Sequence, residues 1–270
     1  AASSLLIAGP ASTQTVEMRA SHQWKQGTDA RDRALRILVD EAVKRSPDLK
    51  VRIYPGLSLN IKTAAQYDAL QSGSLDMSIY PLVYATGKVP EYSITILPGT
   101  VGNLAEAAKL KKSAFRDKLQ AIANKDGVHI LTWWWTPGGF ASKTREITGP
   151  DSVKGLSMRA ADPIYEVMLK SVGASIQSMP SSEVYSAMQS GVLDSLLTSA
   201  ETFVSMRLYE QAKNITIGGD YTMFMLLQPV LVSKKTWDKL TPTQREALEA
   251  GAAASEKFFD GIQQEAVNAA

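Results

Sequence analysis

The 270-residue chain contains no cysteine. That absence removes thiol nucleophiles, cysteine-ligated metals, iron–sulfur clusters and disulfides together. It does not fix a compartment, but it suits a periplasm, where stray thiols are oxidised. Histidine is nearly as scarce. Only His22 and His129 occur, so a histidine-ligated metal or a Ser-His-Asp triad would have to use one of them. No stretch approaches the roughly 18 apolar residues of a membrane-spanning helix. The charges nearly cancel: Lys and Arg number 29, Asp and Glu 27, a formal net charge of +2. Such a balance gives no electrostatic reason to expect nucleic acid or an anionic membrane as a partner. The nucleophile elbow, the P-loop and the dinucleotide-binding glycine pattern are missing, so enzymatic readings start at a disadvantage.

What is present is ordinary globular material, 44 % hydrophobic and 21 % charged. A chain of this size forms one large domain or two modest lobes without a covalent staple. Residues 1–14, with Leu5-Leu6-Ile7-Ala8 followed by small residues, read as a residual signal peptide or a flexible arm. The fold is expected to begin near Thr15.

Val16 to Ala20 reads as a strand. Leu35, Leu38, Val39, Ala42 and Val43 then recur at the spacing of one buried helical face, with Thr28 as its cap. Further strands are expected at Met77–Tyr80, Val128–Trp133, Ser157–Ala160 and Met225–Val232, and helices at Leu104–Asn124, Pro163–Val172 and Ser182–Ser190. A long C-terminal helix should start at Thr241-Pro242-Thr243-Gln244, where Thr caps, Pro occupies the first turn and Gln completes a capping box. Strands alternating with helices imply an α/β fold.

The segment Tyr67-Asp68-Ala69-Leu70-Gln71-Ser72-Gly73-Ser74-Leu75-Asp76 returns as Tyr185-Ser186-Ala187-Met188-Gln189-Ser190-Gly191-Val192-Leu193-Asp194. Each copy fits a helix closed by glycine and followed by a strand. Coincidence between two similar turns is the competing explanation. Copies this far apart are no solenoid; they suggest two similar lobes facing across a cleft, where small ligands are most often bound.

Gly155-Leu156-Ser157-Met158-Arg159, Met179-Pro180-Ser181-Ser182-Glu183-Val184-Tyr185 and Gln189-Ser190-Gly191-Val192-Leu193-Asp194 resemble the central motifs of periplasmic receptors for tripartite ATP-independent periplasmic (TRAP) transporters. Tyr54-Pro55, Gly73-Ser74-Leu75-Asp76 and Ile96-Leu97-Pro98 fall at that family's spacing. The resemblance spans about Val16 to Ala269. It implies a two-lobed, periplasmic-binding-protein-like receptor, each lobe a mixed sheet flanked by helices, with a long helix across both. It further implies a periplasmic protein that performs no chemistry and delivers a small carboxylate to membrane permease subunits; no cofactor and no metal-ligating residues are expected from the sequence. A monomer is expected. The lobes should comprise 15–136 plus about 225–250, and 137–224 plus about 251–270, with hinges near Trp135–Phe140 and Tyr221–Met225.

Arg159 sits on a predicted strand, where a long charged side chain is costly unless paired. The resemblance makes it the carboxylate anchor, a planar guanidinium gripping two oxygens at once. A strand-end arginine in a surface ion pair is the alternative. Positions where many members carry a second arginine and an asparagine fall here at about Gly139 and Thr198, which suggests a monocarboxylate with an apolar or aromatic remainder. Other candidate ligand contacts are Trp135, and secondarily Trp134, as an apolar wall, then Phe140, Tyr80, Thr198, Ser199, Gln23 and His22. Packing in the core is the competing reading for the tryptophans. A sensing module would use the same cleft; an enzyme on this scaffold would need a carboxylate or His22.

Overall fold

The computed structural model describes residues 15–218 and 220–269; the segment 1–14, on which the export-signal expectation falls, lies outside them. The first lobe opens with β1 (Val16–Ser21), α1 (Ala30–Arg45), β2 (Leu49–Tyr54), α2 (Thr63–Ser72) and β3 (Met77–Ile79). β2 and β3 flank β1 in parallel, the pairing that helical crossovers produce. Then come α3 (Leu104–Leu110), α4 (Ala114–Lys125) and β4 (Val128–Ile130). The chain crosses at residues 131–134 into β5 (Trp135–Ser142), α5 (Pro150–Val153), β6 (Ser157–Ala160), α6 (Pro163–Ser171) and β7 (Ser175–Ser178). α7 (Ser181–Gln189), β8 (Ser195–Ser199), α8 (Ala200–Ser205), β9 (Asn214–Thr216) and β10 (Phe224–Leu227) complete the second lobe. It returns at residues 228–229 to β11 (Val230–Ser233), α9 (Lys234–Lys239) and the long α10 (Pro242–Ala269).

The strand orders are β2-β1-β3-β11-β4 and β10-β5-β8-β6-β7, with β9 also paired to β5. Each lobe therefore contains a β-α-β-α-β unit with its first strand central. An antiparallel strand from outside that unit, β11 or β5, lies beside the third strand. The sequence repeat is this unit's second helix and turn. Gly73 and Gly191 both adopt φ +80, the left-handed conformation that favours glycine. Their N–H groups donate to Leu70 O and Met188 O, each at 3.1 Å. The aspartates then repeat one job: Asp76 Oδ2 accepts from Arg19 N at 2.8 Å, and Asp194 Oδ2 from Ser157 N at 3.0 Å.

The apolar stripe of α1, including Leu35, Leu38 and Ala42, is buried with Leu248, Ala252 and Phe259 of α10. α10 also reaches β5 and α8, so one helix joins both lobes. Its capping box forms as expected: Gln244 N donates to Thr241 Oγ1 at 3.2 Å and Thr241 N to Gln244 Oε1 at 3.0 Å.

Several expected elements divide. The Met225–Val232 strand is two strands in different sheets. Gln228 N bonds Trp134 O and Pro229 has no N–H to continue the ladder. The Leu104–Asn124 helix breaks at Ser113, whose extended backbone starts α4. The cap of α1 is Asp29, which accepts from Arg31 N, instead of Thr28. The passages between sheets lie at 131–134 and 228–229, whereas the Trp135–Phe140 hinge candidate is part of β5 and Tyr221–Met225 leads into and includes the start of β10.

Candidate functional site

β6 is buried in the second sheet, and Arg159, on it, is only 4 % exposed. Two backbone carbonyls of its own lobe hold the guanidinium: Nε donates to Met179 O at 2.9 Å and Nη1 to Leu197 O at 2.8 Å. Its Nη2 lies 3.3 Å from Tyr84 Oη of the other lobe and 3.4 Å from Ser181 Oγ of its own. Backbone carbonyls orient the cation without neutralising it, which leaves its charge for another partner.

This edge opens on a cavity of about 20 Å³, lined by Val83, Tyr84 and Ile96 from one lobe and by Arg159, Thr198 and Phe224 among others from the second. In this closed arrangement it has room for about one water molecule, so any organic acid requires the lobes to part. Tyr165 also lines it, and its buried hydroxyl has no hydrogen-bond partner among the described residues. Polar contacts cross the seam beside it. The first amides of α7 face the first lobe: Ser181 N donates to Tyr84 Oη at 3.0 Å and Ser182 N to Gln23 Oε1 at 3.0 Å.

A second buried guanidinium lies behind the cavity wall. Arg31 is fully buried and bound by both oxygens of Asp29, at 2.8 and 2.7 Å. It also donates to Thr202 Oγ1 at 2.9 Å, Gln228 Oε1 at 3.1 Å and Ser205 Oγ at 3.3 Å, above the Trp24 ring at 4.3 Å. Burial opposes ionisation of Asp29, but the Arg31 charge and hydrogen bonds outweigh it and hold the carboxyl below its usual range. Arg31 thus has a resident carboxylate, and Arg159 has none among the described residues.

Of the residues singled out from sequence, Arg159, Thr198 and Ser199 line the cavity together; the Ser199 hydroxyl also caps α8 through Thr202 N at 3.3 Å. Gln23 lies at the adjoining seam. The rest lie elsewhere. Trp135 and Trp133 pack near Phe115 in the core between α2, α4 and the first sheet, while Trp134 stacks on Phe259 at 5.0 Å on the opposite face. Strand-like alternation holds, but both faces are core. Tyr80 is buried behind Tyr84, edge-on at 5.8 Å. Phe140 lines a separate apolar groove in the second lobe. Both His22 ring nitrogens are engaged: Nδ1 accepts from Trp24 N at 3.2 Å, leaving Nε2 to donate to Asp32 at 3.1 Å. Sequence reasoning missed Tyr84, Ser181, Thr202 and Gln228. Ser181 lay within the quoted Met-Pro-Ser-Ser motif, whereas Tyr84 had no local signal.

At Gly139, where the resemblance would put a second arginine, an added Cβ would collide with the Thr216 carbonyl of β9. No side chain fits there on this backbone. Among the described residues, no group of acidic or histidine side chains could hold a metal ion, and no helix is long and apolar enough to cross a membrane.

The family model for bacterial extracellular solute-binding protein, family 7 (DctP), matches residues 20–269. A solute-binding protein of Albidiferax ferrireducens is 38 % identical over 250 residues, covering 91 % of this chain and 74 % of the relative. A crystal structure of a TRAP periplasmic solute-binding protein from Rhodoferax ferrireducens, with bound malonate, superposes with a TM-score of 0.89 at 36 % identity, covering 93 % of this chain and 80 % of that one. A Bordetella pertussis extracytoplasmic solute receptor binding pyroglutamic acid superposes with a TM-score of 0.81 at 25 % identity, covering 93 % and 81 %.

Proposed function

The chain belongs to bacterial extracellular solute-binding protein family 7, and from that premise we propose that it is a periplasmic receptor that captures an organic acid between its lobes and passes it to a TRAP-type membrane permease. It performs no chemistry on the ligand. The observation that carries this reading is Arg159: a buried guanidinium on an interlobe cavity, held by carbonyls and with no acidic partner among the described residues. A ligand carboxylate supplies the missing charge through two parallel hydrogen bonds. The lobes close because the ligand meets both only in the closed form.

The ligand carries one carboxylate and a less polar remainder. Val83, Ile96, Phe224 and Leu226 give the cavity an apolar wall, Gly139 leaves no space for a second cation, and Arg31 is already neutralised by Asp29. The pyroglutamic acid of the Bordetella receptor fits this description. The malonate of the Rhodoferax protein has a second carboxylate, which here would meet hydroxyls and the Gln228 amide. Calorimetry and thermal shift against mono- and dicarboxylic acids test the reading. A true ligand at 100 times its Kd should add about 2.7 kcal/mol of stability, and Arg159→Ala should lose that gain while remaining folded. Retained binding in Arg159→Ala refutes the anchor; dicarboxylates binding far better than every monocarboxylate refute the single-carboxylate assignment.

A further inference from the structure

Building on the acid-receptor reading, we propose that Tyr84 latches the empty receptor: its phenolic oxygen occupies the outer edge of Arg159 where the ligand carboxylate must sit. Ligand-free closure and ligand capture then compete for one guanidinium.

Tyr84 belongs to the turn Leu82–Ala85 that follows β3 in the first lobe, and Arg159 and Ser181 belong to the second. Its oxygen receives Arg159 Nη2 at 3.3 Å and Ser181 N at 3.0 Å, and lies 3.1 Å from Ser181 Oγ. Two N–H donors converging on one oxygen is the pattern a carboxylate oxygen would complete. Beside it the seam is held by Ser182 N to Gln23 Oε1 and the Thr63–Ser182 hydroxyl pair at 3.3 Å, and farther along by Arg31 Nη1 to Thr202 Oγ1 at 2.9 Å, Ala30 N to Glu201 Oε1 at 2.9 Å and Ser93 Oγ to Asp162 Oδ2 at 2.8 Å. Burial opposes ionisation of the Tyr84 phenol, but the Arg159 charge and the Ser181 bonds outweigh it and lower its pKa, in keeping with an oxygen that serves as an acceptor beside a cation. A carboxylate brings a full negative charge and a second oxygen to the guanidinium, where the phenol offers a single oxygen, so it displaces the phenol.

The latch has a signature that a direct ligand contact lacks. A competing internal state divides the apparent affinity of every ligand by the same factor, because only the unlatched fraction can bind. A phenol that touched the ligand would favour some acids over others. The chain's lack of cysteine makes the test simple. Cysteines introduced by Ala65→Cys and Ser186→Cys, at exposed positions in the two lobes, carry spin labels for distance measurement on the ligand-free protein. Tyr84→Phe should move the interlobe distances toward longer and broader values. In calorimetry with malonate, L-malate, D-glucuronate and pyroglutamate, Tyr84→Phe should tighten every acid that binds by one common factor, about five- to tenfold for a bond of this kind. Unchanged ligand-free distances, or weakened or ligand-selective affinity in Tyr84→Phe, overturn the latch. If none of the four acids binds the wild type, the receptor reading fails, and the ligand-free distances still decide the latch.

Discussion

Ser21 and Arg159 occupy the same place in the two lobes. Each follows a residue paired with the third strand of its unit, Ala20 with Met77 and Met158 with Ser195, and each then pairs with the next residue, Ser78 or Leu196. In the first lobe the position is neutral and self-satisfied: Gln66 donates through Nε2 to Ser21 Oγ at 3.2 Å, and its Oε1 accepts from Ser78 Oγ at 2.5 Å. In the second lobe the same position carries a cation steadied by two backbone carbonyls and by the hydroxyls of Tyr84 and Ser181. One scaffold was thus given a closed polar network on one side and an open charge on the other. Recognition is asymmetric although the architecture is repeated.

The sharpest way to break the comparison is Ser21→Arg. Ser21 and Ser78 are already paired with Gln66, so an arginine buried there without an anion should cost about 3–5 kcal/mol. Chemical denaturation measures it; a loss below 1 kcal/mol would show that the two positions are interchangeable. Acid should next separate the lobes, because both histidines lie in the first. His129 stacks on Trp237 at 3.9 Å. Burial first, and then nearby Lys234, Arg245 and Arg116, lower its pKa to about 4. Its folded pKa lies below the unfolded value near 6.5, so the unfolded chain binds the extra proton. Stability is therefore full above pH 6.5 and declines as pH falls toward 4, by up to about 3 kcal/mol. Melting temperature against pH should flatten over that window in His129→Gln, and an unchanged profile would remove His129 as the cause. The smallest expected effect sharpens the repeat itself. Asp194→Ala should cost about 1–2 kcal/mol through the freed Ser157 N–H. Asp76→Ala should cost somewhat more, because Asp76 also accepts from Thr236 Oγ1 at 2.7 Å. Reversal of that order in paired denaturation curves would count against equivalent turns.

Much of this was legible in the chain because it is local. The Tyr-x-Ala-x-Gln-Ser-Gly-x-Leu-Asp repeat encodes a helix, a positive-φ stop and a strand start within ten residues, and the structure uses both copies the same way. Thr241 and Gln244 encode a cap across three residues. Arg159 was legible because a charge on a buried strand demands an explanation. The aromatic candidates were misplaced for the opposite reason. Alternation separates Trp134 from Trp133 and Trp135, but cannot reveal that helices cover both faces. Tyr80 and Tyr84 stand four residues apart in one apolar stretch, and only the seam distinguishes the buried ring from the one that meets Arg159.

By itself the sequence determined the α/β alternation, the duplicated unit and the long capped helix, since each rests on contacts within a few residues, and it singled out Arg159 by the cost of burying a charge. Tertiary structure alone decided that Tyr84 and Ser181 meet that guanidinium and that Gln228 and Thr202 line the cavity beside it. It also decided that one apolar run serves two sheets and that Gly139 leaves no room for a side chain. These outcomes depend on how surfaces distant in the chain approach one another, and such approaches are settled by packing both lobes at once.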